Sequence, residues 1–349
     1  MKISNLAKYA IGITTGAAML AACSSNGGSS LAPSGASSTG APMISRAGKL
    51  WMVNGVLMTA AHPNLAGLRG GPISPDKHHH HKKKKADQNI SDFGNGDVEY
   101  FDWPKGTSPI GSATGISEAQ GECTNVLFGT GKKTFWVTAS GTDQILELKE
   151  GASSATKTLT TPSGDVPVGC AIDPKTGTLA ATIINTGAVV LYANASGSGT
   201  VSQTPLIEAF FAGYDTGSNL YVDGFNNQGE FGLVELKKGS STWETLSLSN
   251  SIEFPGNVQY DGKYVTVNDQ EAHDIFGYTC SGTSCTLEQT VPLTGSSDCD
   301  QTWIGKGYVI CPDAGNLDGE IYKYPAGGSP EATLTDSFSE PLAASAAAK

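Results

Sequence analysis

Histidine is scarce in this 349-residue sequence: there are six, and four of them are consecutive, His78–His81. Beyond that run and His62, only His273 remains for the body of the chain. A zinc site built on imidazoles is therefore excluded there, and any Ser-His-Asp arrangement has to use His273. Asp269 and Asp274 flank it, but no Gly-x-Ser-x-Gly elbow exists, and its Asn/Asp/Gln company is that of a polar turn. No Cys-x-x-Cys pair occurs, which counts against a thiol oxidoreductase. Glycine-rich stretches follow no strand–helix order, so nucleotide-phosphate loops are unsupported. Only 16% of residues are charged, and positive charge is short where a large surface would be. Residues 89–349 hold 12 Lys+Arg against 31 Asp+Glu, a net of −19, while residues 1–88 carry +8. Nucleic-acid affinity comes largely from neutralising phosphates, so an acidic body excludes that partner.

What is present begins with an address. Lys2 and Lys8 precede the apolar stretch Tyr9–Ala22, which is too short to span a bilayer comfortably. It ends in Leu20-Ala21-Ala22-Cys23, similar to a bacterial lipobox. The expectation is a signal peptide over residues 1–22, acylation at Cys23, and an extracytoplasmic protein anchored in the envelope at the outer membrane or cell surface. Acyl chains on one cysteine attach stably, since each buried methylene adds about 0.8 kcal/mol. Residues 23–88 then read as a linker. Ser24–Ser45 is uncharged and mostly Ser, Gly, Ala and Pro, which cannot bury a core. Leu50–Met58 is its one apolar patch, either a separate strand or a segment lying against the body. His78–His81 followed by Lys82–Lys85 reads as a solvated basic run, because like charges repel and extend.

From residue 89 the chain repeats. Similar strings start near residues 90, 134, 179, 220, 264 and 308, spaced by 41 to 45 residues. Each is a β-rich run, a polar Gly/Asn/Asp turn and an alternating strand, the pattern of a hairpin. Units of four short strands at this spacing predict an all-β, six-bladed β-propeller over 89–349. Inner strands are expected near 119–125, 167–173, 210–215, 254–260, 298–304 and 340–347. The unit at 89–117 lacks an inner strand, so the C-terminal segment is expected to supply it and close the ring by pairing with the first blade.

Six cysteines remain after Cys23, an even number suited to an oxidising compartment. Cys280 and Cys285 bracket a tight turn. Cys123 and Cys170 hold equivalent places on successive inner strands, and Cys299 and Cys311 flank the Gly305-Lys306-Gly307 turn. Those are the expected pairings. Trp136, Phe210, Phe211, Tyr221, Trp243, Trp303 and Tyr322 sit mostly at β periodicity and read as packing between blades. The strand parse also puts one carboxylate beside each outer-to-inner connection: Glu118, Asp165, Glu208, Glu253, Asp298 and Glu340. Asp92, Asp223, Asp269 and Asp313 lie at companion turns in four units. Converging carboxylates favour a cation, and oxygen ligands without imidazole suit calcium or magnesium. The other reading is that these acids are solvated turn residues. Calcium or magnesium is the one cofactor these residues suggest.

Asp92-Phe93-Gly94-Asn95, Asp313-Ala314-Gly315-Asn316 and Pro167-x-Gly-Cys-Ala-Ile-Asp173 resemble NHL/TolB-like six-bladed propeller repeats of bacterial lipoproteins. The resemblance covers about residues 89–349 and implies the fold, not an activity. The related gluconolactonase class implies a metal-dependent hydrolase with carboxylate and Asn ligands. Its Pro-Asn-Gly string has as nearest counterpart Pro255-Gly256-Asn257, with the last two residues exchanged. The expected function is a non-catalytic binding or scaffold module, held to the membrane by its lipid and taking a protein, small-molecule or carbohydrate ligand at one face. A calcium- or magnesium-dependent lactonase-type hydrolase is the alternative, and a purely structural envelope protein a third.

Overall fold

The computed structural model describes residues 87–124 and 134–346, with three short strands, Met43–Ile44, Trp51–Val53 and Val56–Met58, pairing antiparallel upstream. The signal segment, Cys23, residues 24–42 of the Ser/Gly tether and the His78–Lys85 run lie outside the described residues. No α-helix occurs among the described residues.

The chain is all-β, in an arrangement consistent with a β-propeller. From residue 87 it forms four four-stranded sheets and one eight-stranded sheet. The eight-stranded sheet is two four-stranded runs, joined where Ser247 and Leu248 pair in parallel with Ser284 and Cys285. In chain order the runs open with Ala119–Thr124, Pro167–Ile172, Glu208–Tyr214, Pro255–Tyr260 and Trp303–Gly305. The run that precedes them, counted as the first, has the C-terminal strand Pro341–Ala346 at its edge, paired antiparallel with Asp87–Asp92. That second strand begins two residues ahead of the expected boundary at 89, and Gln88 is already fully buried. Opening strands of successive runs lie against one another, and Pro341–Ala346 lies against Ala119–Thr124.

Alternation explains the packing. In Thr134–Ala139, Phe135 and Val137 pack with Val98 and Tyr100 of the preceding run, whereas Trp136 packs with Cys170 and Leu179 of the following one. Successive side chains on a strand point to opposite faces, and here both faces meet a neighbour. The hydrophobic core is accordingly divided among the junctions between runs. The closing junction joins Ile90 and Ala344 to Ile310, Ile321 and Trp303.

Four opening strands carry a register shift, between Ala119 and Glu122, Pro167 and Cys170, Ala209 and Ala212, and Pro255 and Val258. A bulge leaves an amide without its ladder partner. The adjacent strand supplies one: Thr138 Oγ1 accepts from the Gly121 N–H at 2.7 Å and donates to the Val168 carbonyl at 3.0 Å. Thr182 accepts from Gly169 at 2.8 Å and donates to the Phe210 carbonyl. Each hydroxyl thus satisfies its own bulge and ties it to the next run. Gly121 and Gly169 are required by this close approach, since a Cβ on either would collide with the same carbonyl oxygens.

The opening strand expected over 298–304 is shorter, Trp303–Gly305, with isolated bridges at Cys299 and Gln301. Its neighbour Tyr308–Asp313 contains Pro312. Ala314 N–H reaches the Asp298 carbonyl, but two residues earlier on the same side Pro312 has no N–H to give. The disulfides Cys123–Cys170, Cys280–Cys285 and Cys299–Cys311 are all formed, with Cα separations of 5.5, 4.0 and 5.3 Å.

Candidate functional site

The acids at the companion turns divide into two kinds. Asp92, Asp269 and Asp313 end their strands, are buried, and collect backbone amides. Asp313 accepts from Ser297 at 2.7 Å, Asp298 at 3.0 Å, and Gly315 and Asn316 at 2.9 Å. Asp269 accepts from Glu253 at 2.7 Å and Phe254 at 3.2 Å, and Asp92 from Ser339 at 2.7 Å and Glu340 at 2.9 Å. Each clips its own turn to the connection that enters the opening strand. Their oxygens are occupied with backbone, which fits anchoring better than ion binding.

Asp223 does not belong with them. It lies inside Leu220–Phe225, at the place held by Thr138 and Thr182, is fully buried and accepts from the Phe211 N–H at 2.8 Å. Burial raises its carboxyl well above the ordinary range, the amide bond opposing.

The six connection carboxylates stay distributed, one per connection. Glu208 is buried, and burial pushes it up to about 7. Asp165 is raised by burial and by Asp143. Glu118 is half-buried in a left-handed backbone position, φ 55°, while Asp298 and Glu340 are half-buried and Glu253 exposed. Among the described residues, the one His/Cys/Asp/Glu group with metal-ligand spacing is Cys299, Cys311, Asp313 and Glu320, and none of the six belongs to it. Its two sulfurs are bonded to each other. The expected gathering of these carboxylates into one calcium or magnesium site is not what the geometry displays.

A second set of acids recurs at fixed spacing: Asp92, Asp97 and Glu99, then Asp313, Asp318 and Glu320. Burial and then neighbouring carboxylates push Asp97 to about 7 and Glu99 to about 8. Asp318 rises to about 6 by burial and Asp313, and Glu320 to about 7, mainly by burial. The duplicated spacing was visible in the sequence as a turn signal.

Glu122 escaped the sequence reading. It sits between Gly121 and Cys123 on an opening strand, is 2% exposed, and borders a narrow cavity of about 60 Å³ lined by opening-strand residues from around the whole fold. Ser91 donates to its Oε1 at 2.6 Å and Ser345 to its Oε2. Its backbone N–H donates to Gln301 Oε1 at 2.8 Å, and Gln301 Nε2 returns a bond to its carbonyl at 2.7 Å. Burial pushes the carboxyl up to about 8, against the two hydroxyl donors. That cavity has room for a few waters and no larger ligand. Asn257 also lines it, but its Nδ2 donates to the Thr302 carbonyl at 2.6 Å and so serves the backbone. His273 occupies a left-handed turn position, φ 57°.

A larger recess lies at the end of the fourth run. Its volume is about 460 Å³, within the range of small-molecule sites. Leu233, Leu246, Leu248, Phe231 and Ile252 form its apolar walls, and Glu230 and Glu253 stand at it, both exposed. The connection carrying Ile252 and Glu253 is held in place at two points. Asp269 accepts the Glu253 amide, and the Phe254 ring packs edge-on against Phe225 and Phe210 at 5.5 and 6.0 Å.

No protein-family model and no curated protein matches the chain. Solved structures do. A nidogen/laminin complex is similar with a TM-score of 0.60 at 13% identity, over 75% of this chain and 98% of that one. A functionally unknown protein from Desulfotomaculum acetoxidans gives 0.53 at 12% identity, over 74% and 98%. Hydrazine synthase from Kuenenia stuttgartiensis gives 0.50 at 12% identity, over 67% and 72%. At such identities the likeness is one of fold alone.

Proposed function

We propose that the chain is a six-bladed β-propeller of the NHL/TolB-like kind, anchored outside the cytoplasm through Cys23, that works as a non-catalytic binding module with its ligand in the recess at Leu248 and Glu253. The six-bladed reading is supported by the equivalent opening strands and by the pairing of Pro341–Ala346 with Asp87–Asp92. The NHL-like reading is supported by Asp92 and Asp313, which do the same capping work in their two Asp-x-Gly-Asn strings. The disulfides suit an oxidising compartment.

The observation that carries the binding role is the recess itself: about 460 Å³, with Leu233, Leu246, Leu248, Phe231 and Ile252 in its lining, Glu230 and Glu253 exposed beside them, and walls made of strands and a doubly fixed connection. Rigid apolar recesses with few polar groups are the usual form of a small-molecule site. A thermal-shift screen of small apolar compounds, run on the full chain and on Leu248→Trp, tests it. Stabilisation of the parent that the filling substitution removes is the expected result. Equal stabilisation of both, or turnover in a parallel lactone and ester screen, would overturn it. For the anchor, palmitate labelling should be lost in Cys23→Ser; equal label in both would remove it.

A further inference from the structure

We infer that the recess at the end of the fourth run takes an organic cation with an apolar body, the chemistry of a short-chain alkylammonium. This rests on the binding role proposed above and adds the charge and shape of the ligand.

The lining is unequal in what it leaves unsatisfied. Its amide side chain is already engaged: Asn250 Oδ1 accepts from the Tyr278 hydroxyl at 2.8 Å, and Asn250 Nδ2 donates to the Ser251 carbonyl at 3.2 Å. Beside Ser251, the walls offer hydrocarbon from Leu233, Leu246, Leu248 and Ile252, and the Phe231 ring. Glu230 and Glu253 reach the recess from two different segments, one from the turn before Phe231–Leu236 and one from the connection into Pro255–Tyr260. Among the described residues, ion pairs join Lys105 and Lys323 to Glu331 and Lys237 to Glu244, and none engages Glu230 or Glu253. No Lys or Arg lines the recess. Two carboxylates without a countercharge beside an apolar volume complement a ligand that carries that countercharge on a hydrocarbon body. The surrounding acidity, a net of −19 over residues 89–349, adds long-range attraction for a cation and repulsion for a fatty acid of the same length. A cationic head near Phe231 also gains from the ring face.

The test uses three probes of one chain length, octyltrimethylammonium, octanol and octanoate. Each is titrated calorimetrically below its micellar range, at physiological ionic strength, into the full chain and into Glu230→Gln/Glu253→Gln. Both positions are exposed, so the double variant should fold as the parent does. The expected result is an ammonium preference over octanoate of at least about fivefold in the parent, the scale of two exposed charge contacts. The double variant should lose that preference while its octanol affinity stays the same. Octanol binding with no ammonium advantage, or an advantage that persists in the double variant, overturns the cation inference and leaves the binding role standing. Failure of all three probes to bind overturns both.

Discussion

Glu122→Gln should make this protein less sensitive to alkali, and the size of the effect follows from one buried carboxyl. Glu122 is 2% exposed, accepts from Ser91 and Ser345, and is held up to about 8 by burial, against an ordinary 4.5. Between those values the unfolded chain has lost the proton while the folded chain keeps it. Folding then takes up a proton, so stability falls as pH rises, at about 1.4 kcal/mol per pH unit. The contribution is fully present below pH 4.5 and lost as pH climbs through about 8, a total of about 5 kcal/mol across the window. Glutamine resembles the neutral acid and keeps a group between the two serines, but carries no proton to lose. Urea unfolding followed by tryptophan fluorescence, with disulfides intact, at pH 5 and pH 8 reads the difference. Parent and variant should unfold at nearly the same denaturant concentration at pH 5. At pH 8 the variant should be the more stable by a few kcal/mol. Other raised acids, Asp223 and Glu208 among them, tilt both curves alike, so the parent-minus-variant difference isolates Glu122. Parallel pH dependences would refute the reasoning, because Glu122 would then be ionised in the folded state.

Removing residues 339–349 takes away the strand paired with Asp87–Asp92 and two amides held by Asp92, and should abolish cooperative melting; a truncated chain that melts like the parent would show that the C-terminal strand closes nothing. Asp313→Ala strips the acceptor from four backbone amides and should cost about 3 kcal/mol in urea unfolding, with no change expected if those amides were already solvated. The disulfides should rank by loop length: replacing Cys123 and Cys170 by serine, a separation of 47 residues, should cost about 4 kcal/mol, and replacing Cys280 and Cys285, a separation of 5, about 2, so a reversed order in thermal unfolding would count against the chain-entropy account.

Much of the architecture was legible because it is periodic. A repeat near 44 residues, with hairpin turns inside each copy, located second strands at Thr134, Leu179, Leu220 and Tyr308, where they begin. The Cys123–Cys170 pairing was legible for the same reason, since equivalent positions on successive opening strands become neighbours, whereas Cys280–Cys285 and Cys299–Cys311 were legible as pairs flanking a local turn. The site was far less so. Asp223 looked like Asp92, Asp269 and Asp313, yet one residue of register moves it from a turn to a strand interior. The connection carboxylates were located by the same parse, but a place in each repeat does not bring side chains together.

The sequence by itself determined the class of structure and the positions of its strands and turns, because these depend on local pattern. The tertiary structure alone decided which acids are buried, which are consumed by backbone amides, and where a ligand-sized recess opens. Ser91, Glu122, Gln301 and Ser345 meet across as many as 223 residues in a single hydrogen bond. Glu230 and Glu253 come to one recess only because Phe254 and Asp269 fix the connection that carries the second. A carboxylate's chemistry follows from what surrounds it in space, and sequence periodicity specifies the spacing of strands but not what their side chains meet.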